Sequence, residues 1–197
     1  MSALRYALLG LLSKAPRSGY DLVLDFKNPI GHFWSAQHSQ VYPELSKMEH
    51  EGLIQFVRVR QDERPDKKVY SLTPNGEVAF QQWLGVLVET PRTMRDEFML
   101  KSYFIWEAPE ESARNQFESQ LKVHEERLKT LEESLAIFIQ TQGGRPIRTN
   151  TADFGRWLVV WKGIMTERTY VEWCRLSLQW LEAGEVHTDF LGGGADG

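Results

Sequence analysis

The chain has 197 residues, 42% hydrophobic and 25% charged, enough apolar side chain for one large core or two small ones. No stretch approaches the roughly 18 consecutive apolar residues that a membrane span needs, so no membrane partner is expected. The single cysteine, Cys174, excludes an internal disulfide and fits a reducing, cytoplasmic setting.

Charge is divided unevenly. Residues 1–76 hold 10 Lys and Arg against 8 Asp and Glu, a balance of +2, and residues 77–197 hold 13 against 19, a balance of −6. That direction suits a polyanion-facing N-terminal part and an acidic remainder.

Residues 3–14 read as a short apolar helix. The run from Tyr6 to Leu12 is short for a secretory signal, and Pro16, directly after Ser13-Lys14-Ala15, blocks cleavage, so the segment is assigned to the core. Ser18 caps the next helix, with Asp21 three residues on as a capping-box partner. Pro29 and Gly31 interrupt the pattern. A third helix, about 37–51, places Val41, Leu45 and Met48 on one face and polar side chains on the other. It contains Pro43, tolerable if the helix starts at 37–39, and Gly52 follows as a left-handed stop.

The period then changes to two. In "LIQFVRVR", Val57 and Val59 share one face, and Phe56, Arg58 and Arg60 the other. "KKVYSL" pairs with it across the polar loop "QDERPD", which gives a wing over about 55–72. Thr73 and Pro74 open a fourth helix with an apolar stripe of Phe80, Trp83, Leu84, Leu87 and Val88. Residues 1–90 thus read helix, helix, helix, hairpin, helix, the order of a winged helix-turn-helix domain.

Residues 91–190 read as all-helical, joined through "ETPRTMRD" at 89–96, and residues 191–197, "LGGGADG", read as a disordered tail. An aromatic helix ends before Pro109. A long helix follows, with Pro109 at its first position and Phe117, Leu121, His124, Leu128, Leu131, Leu135 and Phe138 as a seam of about three heptads. After the loop "QGGRPIRTNT", Thr151 caps a last helix over about 152–183. Its apolar residues cover more than one face, and two or three helices of one chain cannot bury it on all sides. A second copy is therefore expected, meeting Phe117, Leu121, Leu128, Leu131, Trp157, Trp161 and Trp173.

Catalysis finds no support in the sequence. The five histidines are scattered, "HEERL" and "HEGLI" lack the second histidine of a zinc motif, and Cys174 has no histidine nearby. No catalytic residue, metal or cofactor is expected. Three features together point to nucleic acid instead. The third helix has a polar front at its N-terminal end. Arg64, Lys67 and Lys68 sit around the hairpin loop, where they can meet phosphate. Ser18, Gly19 and Tyr20 open the second helix with backbone N–H groups and a phenol.

The stretches "ALLGLL" (7–12), "SGYDL" (18–22), "VYPELSKMEHEGLI" (41–54) and "KKVYSLTPNGEVAFQQWL" (67–84) resemble the winged-helix domain of PadR-family transcriptional regulators. The helical layout that follows is similar to the branch with a long C-terminal helical domain, which includes phenolic-acid-responsive repressors and virulence regulators. The resemblance implies a mainly α-helical homodimer, joined through the C-terminal helices and bound to a pseudo-palindromic operator as a repressor. It places Gln37, His38, Ser39, Gln40 and Tyr42 at the groove-facing start of the recognition helix, Lys47 toward the backbone, and Arg64, Lys67 and Lys68 at the wing tip. Asp62, Glu63 and Asp66 bring the wing close to neutrality.

Some members of that branch bind small aromatic acids. Arg156, Trp157 and Trp161 could supply the charge and the walls of such an effector site, with Gly155 and Gly163 leaving space. The same tryptophans also read as dimer core, and the glycines as points of close helix packing. The alternative to a DNA-binding regulator is a winged-helix module that docks a protein partner.

Overall fold

The structure is a computed structural model that describes residues 2–26, 38–60, 66–88 and 96–186. The expected break at Pro29 and Gly31, Gln37 and Arg64, the joint up to residue 95 and the C-terminal tail lie outside the described residues, as does the side chain of His38. The chain divides into two compact units, Met1–Arg92 and Thr93–Gly197.

The first unit runs α1 (Ala3–Leu12), β1 (Arg17–Ser18), α2 (Gly19–Asp25), α3 (His38–His50), β2 (Ile54–Val59), β3 (Lys67–Leu72) and α4 (Pro74–Leu84). Leu8 and Leu9 of α1, Leu22 of α2, and Val41, Leu45 and Met48 of α3 are fully buried together, the i, i+4, i+7 stripe that the sequence predicts for α3. Removing these side chains from water is the main force holding α3 to the unit.

The sheet has a third strand that the sequence reading lacks. β1 pairs with β3, Arg17 opposite Tyr70 and Ser18 opposite Val69, giving the order β1-β3-β2. Two residues show no periodicity, so no pattern could announce them. In β2 the inward face is Ile54 and Phe56, while Val57 and Val59 are exposed. α4 stops at Leu84, earlier than its expected stripe. Leu87 and Val88 lie beyond it, 83% and 90% exposed. Within α4, Trp83 stacks on Tyr6 of α1, ring centroids 4.6 Å apart.

The second unit contains α5 (Glu97–Tyr103), one 3-10 turn at Ile105–Glu107, α6 (Glu110–Gln142) and α7 (Ala152–Ala183). The expected aromatic helix is therefore shorter than its sequence pattern, and Pro109 is the N-cap of α6, one position outside it. Thr151 is the N-cap of α7, but its hydroxyl donates back to the carbonyl of Arg148.

The heptad seam of α6 closes on α7 of the same chain. Leu131, Leu135 and Phe138 pack with Val160 and Ile164, and Phe117 packs with Phe98 and Cys174. Gly163 admits Leu131, whose Cδ1 would stand 3.2 Å from a Cβ there, whereas a Cβ on Gly155 would meet nothing within 4 Å. Exposed salt bridges, Arg168 to Glu132 and Arg175 to Glu125, line the same pair of helices. Among the described residues, no helix is long and apolar enough to cross a membrane.

Candidate nucleic-acid interface

α3 carries the centre of the candidate surface. Its C-terminus is closed by a Schellman motif: Gly52, at φ +69°, donates to Glu49 O at 3.0 Å, and Leu53 donates to Met48 O at 2.9 Å. Gly52 thus forms the expected left-handed stop. The helix begins at His38, inside the expected range, and the amide hydrogen that Pro43 lacks would have gone to the carbonyl of Ser39.

With Val41, Leu45 and Met48 turned to the core, the opposite arc presents Ser39, Gln40, Pro43, Ser46, Lys47 and His50, all exposed. Among its polar side chains, Ser46 and His50 are the ones not expected on this face from the sequence; the spacing 39, 43, 46, 50 is that of one helix face and reveals both. The two flanks of this arc are acidic or aromatic: Glu44 and Glu51 lie on one side, Tyr42 and Glu49 on the other.

Around α3 the other expected contacts divide. Tyr42 lays its ring against Gly19, where a Cβ would come within 2.7 Å of the Tyr42 ring. Only a residue without a side chain lets the start of α2 approach this closely. Tyr20 stands out, 64% exposed. Ser18 does not: it is buried, and its hydroxyl donates to Asp21 Oδ2 at 2.7 Å and accepts from Asp21 N at 3.2 Å. The Ser18 hydrogen bonds, with Lys67 and Arg17 nearby, hold the Asp21 carboxyl below its ordinary range. Ser18 acts as a complete capping box, leaving its hydroxyl occupied.

Lys67 is exposed on β3, opposite Val59. Its neighbour Lys68 is engaged within the fold, with Nζ 3.3 Å from Glu49 Oε2 and 3.7 Å above the Phe56 ring. Lys68 therefore ties β3 to the end of α3. Arg58, opposite Lys68 in the ladder, and Arg60 are exposed. The start of α2, Tyr42 and β3 enclose an open cleft of about 650 Å³, lined by Tyr20, Tyr42, Asp66, Lys67, Lys68 and Tyr70. Burial, with the Glu49 carboxylate nearby, pushes the Tyr70 phenol up, so it stays a neutral floor to this cleft.

In the second unit, Trp157 and Trp161 stack with ring centroids 5.8 Å apart, and the Arg156 guanidinium lies 5.5 Å from the centre of the Phe138 ring. Trp157 is half-buried against the Leu131 cluster and Trp161 is more exposed. Trp173 meets Phe98 and Phe117 edge-on. His124 is buried, bonded through Nδ1 to Glu167 and stacked on Tyr170 at 3.6 Å. It is satisfied within its own chain. Of the residues expected at the dimer interface, Phe117 and Leu131 are buried within their own chain, and Leu121 and Leu128 are partly buried.

A helix-turn-helix core with a β wing, followed by a long helical hairpin, defines a winged-helix regulator. Residues 8–82 match the family described as "Transcriptional regulator PadR-like family", and residues 94–182 match "Virulence activator alpha C-term". The negative transcriptional regulator PadR of Bacillus subtilis is 40% identical over 173 residues, 88% of this chain and 94% of that protein. The chain belongs to the PadR family of transcriptional regulators. The crystal structure of B. subtilis PadR in complex with operator DNA superposes with a TM-score of 0.82 at 38% identity, covering 91% of this chain and 99% of that one. The same protein in complex with p-coumaric acid gives 0.78 at 38% identity, covering 91% and 95%.

Proposed function

We propose that this protein is a cytoplasmic repressor that binds a pseudo-palindromic operator as a homodimer and is released by a small aromatic acid. The observation that carries the reading is the outward arc of α3: small polar and cationic side chains on a helix locked to the core by Val41, Leu45 and Met48. A helix so presented enters a major groove, where Ser39, Gln40 and Ser46 meet base edges. Gln37, one residue before α3 in the sequence, and His38, its first residue, are assigned to the same contact. Lys47, Tyr42, Tyr20 and Lys67 lie where phosphate passes, and Arg64, between β2 and β3 in the sequence, is assigned to phosphate as well. The relative solved with operator DNA supports this reading.

In this reading the first unit binds DNA and the second joins the two copies and senses the effector. Leu158, Trp161 and Met165 form an exposed stripe on α7, and Leu100, Tyr103 and Trp106 an exposed group around α5. These surfaces, with Trp173, are where the second copy packs. Trp157 and Trp161 offer an apolar wall and Arg156 a counter-charge to a carboxylate, and the relative solved with p-coumaric acid supports that ligand class.

The test is selection of bound sequences from a random duplex pool at stated salt. An inverted repeat with half-sites about one helical turn apart is expected, and its affinity should fall steeply with salt and on adding p-coumaric acid. Failure to recover any motif, with a stable hetero-complex formed instead, would favour a protein-docking module.

A further inference from the structure

α3 and the residue that closes it carry three carboxylates, Glu44, Glu49 and Glu51, against one lysine, Lys47. Left alone, they would repel the phosphates beside a major groove. Arg5 answers two of them from a different helix. Its Nε donates to Glu44 Oε1 at 2.9 Å, its Nη1 to Glu51 Oε2 at 2.6 Å and its Nη2 to Glu51 Oε1 at 2.9 Å. The two glutamates lie seven residues apart, two turns along one edge of α3, a rise of about 10 Å. One planar guanidinium therefore holds α3 at two points along its axis.

The anchor itself is rigid. Arg5 sits between Leu4 and Tyr6, both buried in the core, with Leu8 and Leu9 one turn on. Glu44 is buried and Arg5 nearly so, while Glu51 faces solvent. Hydrophobic packing of Val41, Leu45 and Met48 holds α3 against the core, but apolar contacts are non-directional and allow a helix to roll or slide by fractions of an ångström. Two hydrogen-bonded points on one edge remove that freedom. Lys68 on Glu49 supplies a hold on the opposite edge.

The geometry points to Arg5 as a positioning residue for DNA recognition: it touches no base, but sets the rotation and slide of α3 and cancels the charge of its inner edge, so that Ser39, Gln40 and Ser46 meet the groove in register. This rests on the DNA-binding reading above. Lysine at position 5 keeps the charge but cannot make the fork, which separates positioning from simple neutralisation.

The experiment compares the full-length wild type with Arg5→Lys and Glu51→Gln, well below their melting temperatures. It measures affinity for the selected operator, affinity for a scrambled duplex, and amide hydrogen exchange of α3 in the free protein. Operator affinity is expected to fall roughly tenfold in Arg5→Lys, the scale of one mismatched base pair. Affinity for the scrambled duplex and the salt slope should stay unchanged, while exchange quickens in α3 but not in α1. Glu51→Gln, an exposed substitution that keeps the Glu44 bond but removes one carboxylate, is read by exchange in α3 and by the ratio of operator to scrambled affinity, both of which should move less than in Arg5→Lys, and it serves if Arg5→Lys does not fold. Equal loss on both duplexes would overturn the proposal by making Arg5 a phosphate contact whose effect is the same on every sequence. So would unchanged exchange in α3. A wild type that binds no duplex removes the DNA reading and its specificity claim together, and the exchange rates still judge the clamp.

Discussion

Gly19→Ala offers a way to move one candidate DNA contact without unfolding the protein. The new Cβ would stand 2.7 Å from Tyr42 Cε1, 3.0 Å from Cζ and 3.1 Å from the phenol oxygen. Carbon atoms pack at about 3.5–4.0 Å, so the ring must retreat by about 0.8 Å. The atoms met belong to the far end of a side chain, and Gly19 has no positive φ, so the backbone accepts alanine. Alanine is also the better helix former by up to about 1 kcal/mol. Urea unfolding should therefore show stability unchanged or slightly raised. The phenol, however, leaves the roughly 2.5–3.0 Å window of an O–H···O hydrogen bond. Loss of one bond to a charged phosphate oxygen is worth about 1.5 kcal/mol, close to a tenfold weaker Kd. Fluorescence anisotropy with labelled operator measures that change. Tyr42→Phe should cost about the same, and the double variant no more than either, because both remove one interaction. Wild-type affinity in Gly19→Ala, or additive losses in the double variant, would refute the assignment of Tyr42.

Two further predictions concern the framework around the site. At Gly76 a Cβ would lie 2.0 Å from the carbonyl oxygen of Leu53, a backbone atom that cannot swing aside. Gly76→Ala should lower stability by about 1–3 kcal/mol, as overpacking does, whereas Gly85→Ala, whose nearest neighbour is 3.5 Å away, should leave the urea midpoint almost unmoved. Burial pushes the Cys174 thiol up to about 11 from an ordinary 9.0, so at pH 8 a thiol reagent should label it far more slowly in native protein than in urea. The native state holds that proton more tightly than the unfolded chain. The associated stability is therefore complete below pH 9 and is lost as pH rises toward 11, a decline that chemical denaturation over pH 8–11 should record. Tyr170, in the same cluster and pushed up by burial to about 12, extends the decline to higher pH.

The position of Lys68 changes how the wing is understood. As a basic residue beside a loop it reads as a phosphate contact, yet its ammonium is shared between Glu49 and the Phe56 ring. Lys67, one residue earlier, points to the other face of the strand and is exposed. The two adjacent lysines thus have different surroundings because a strand alternates its side chains, and Lys67→Ala should weaken all DNA more than Lys68→Ala does.

Local chemistry determined much of this protein before any tertiary contact formed. The periodicity of Val41, Leu45 and Met48, the Gly52 stop, the Ser18-Asp21 capping box and the Thr73-Pro74 start are properties of neighbouring residues, and the structure contains each of them. The heptad seam of α6 was equally legible as an apolar edge. What that edge meets was not: a seam specifies that something apolar must cover it, and α7 of the same chain does so here. Long-range pairings were invisible for the same reason. Arg5 reaches Glu44 and Glu51 across 39 and 46 residues, Arg17 and Ser18 become a strand only because β3 lies beside them, and His124 finds Glu167 on the next helix. Sequence spacing encodes which residues share a face. Which faces meet depends on how the elements pack, and that is decided by the competition of every buried surface at once.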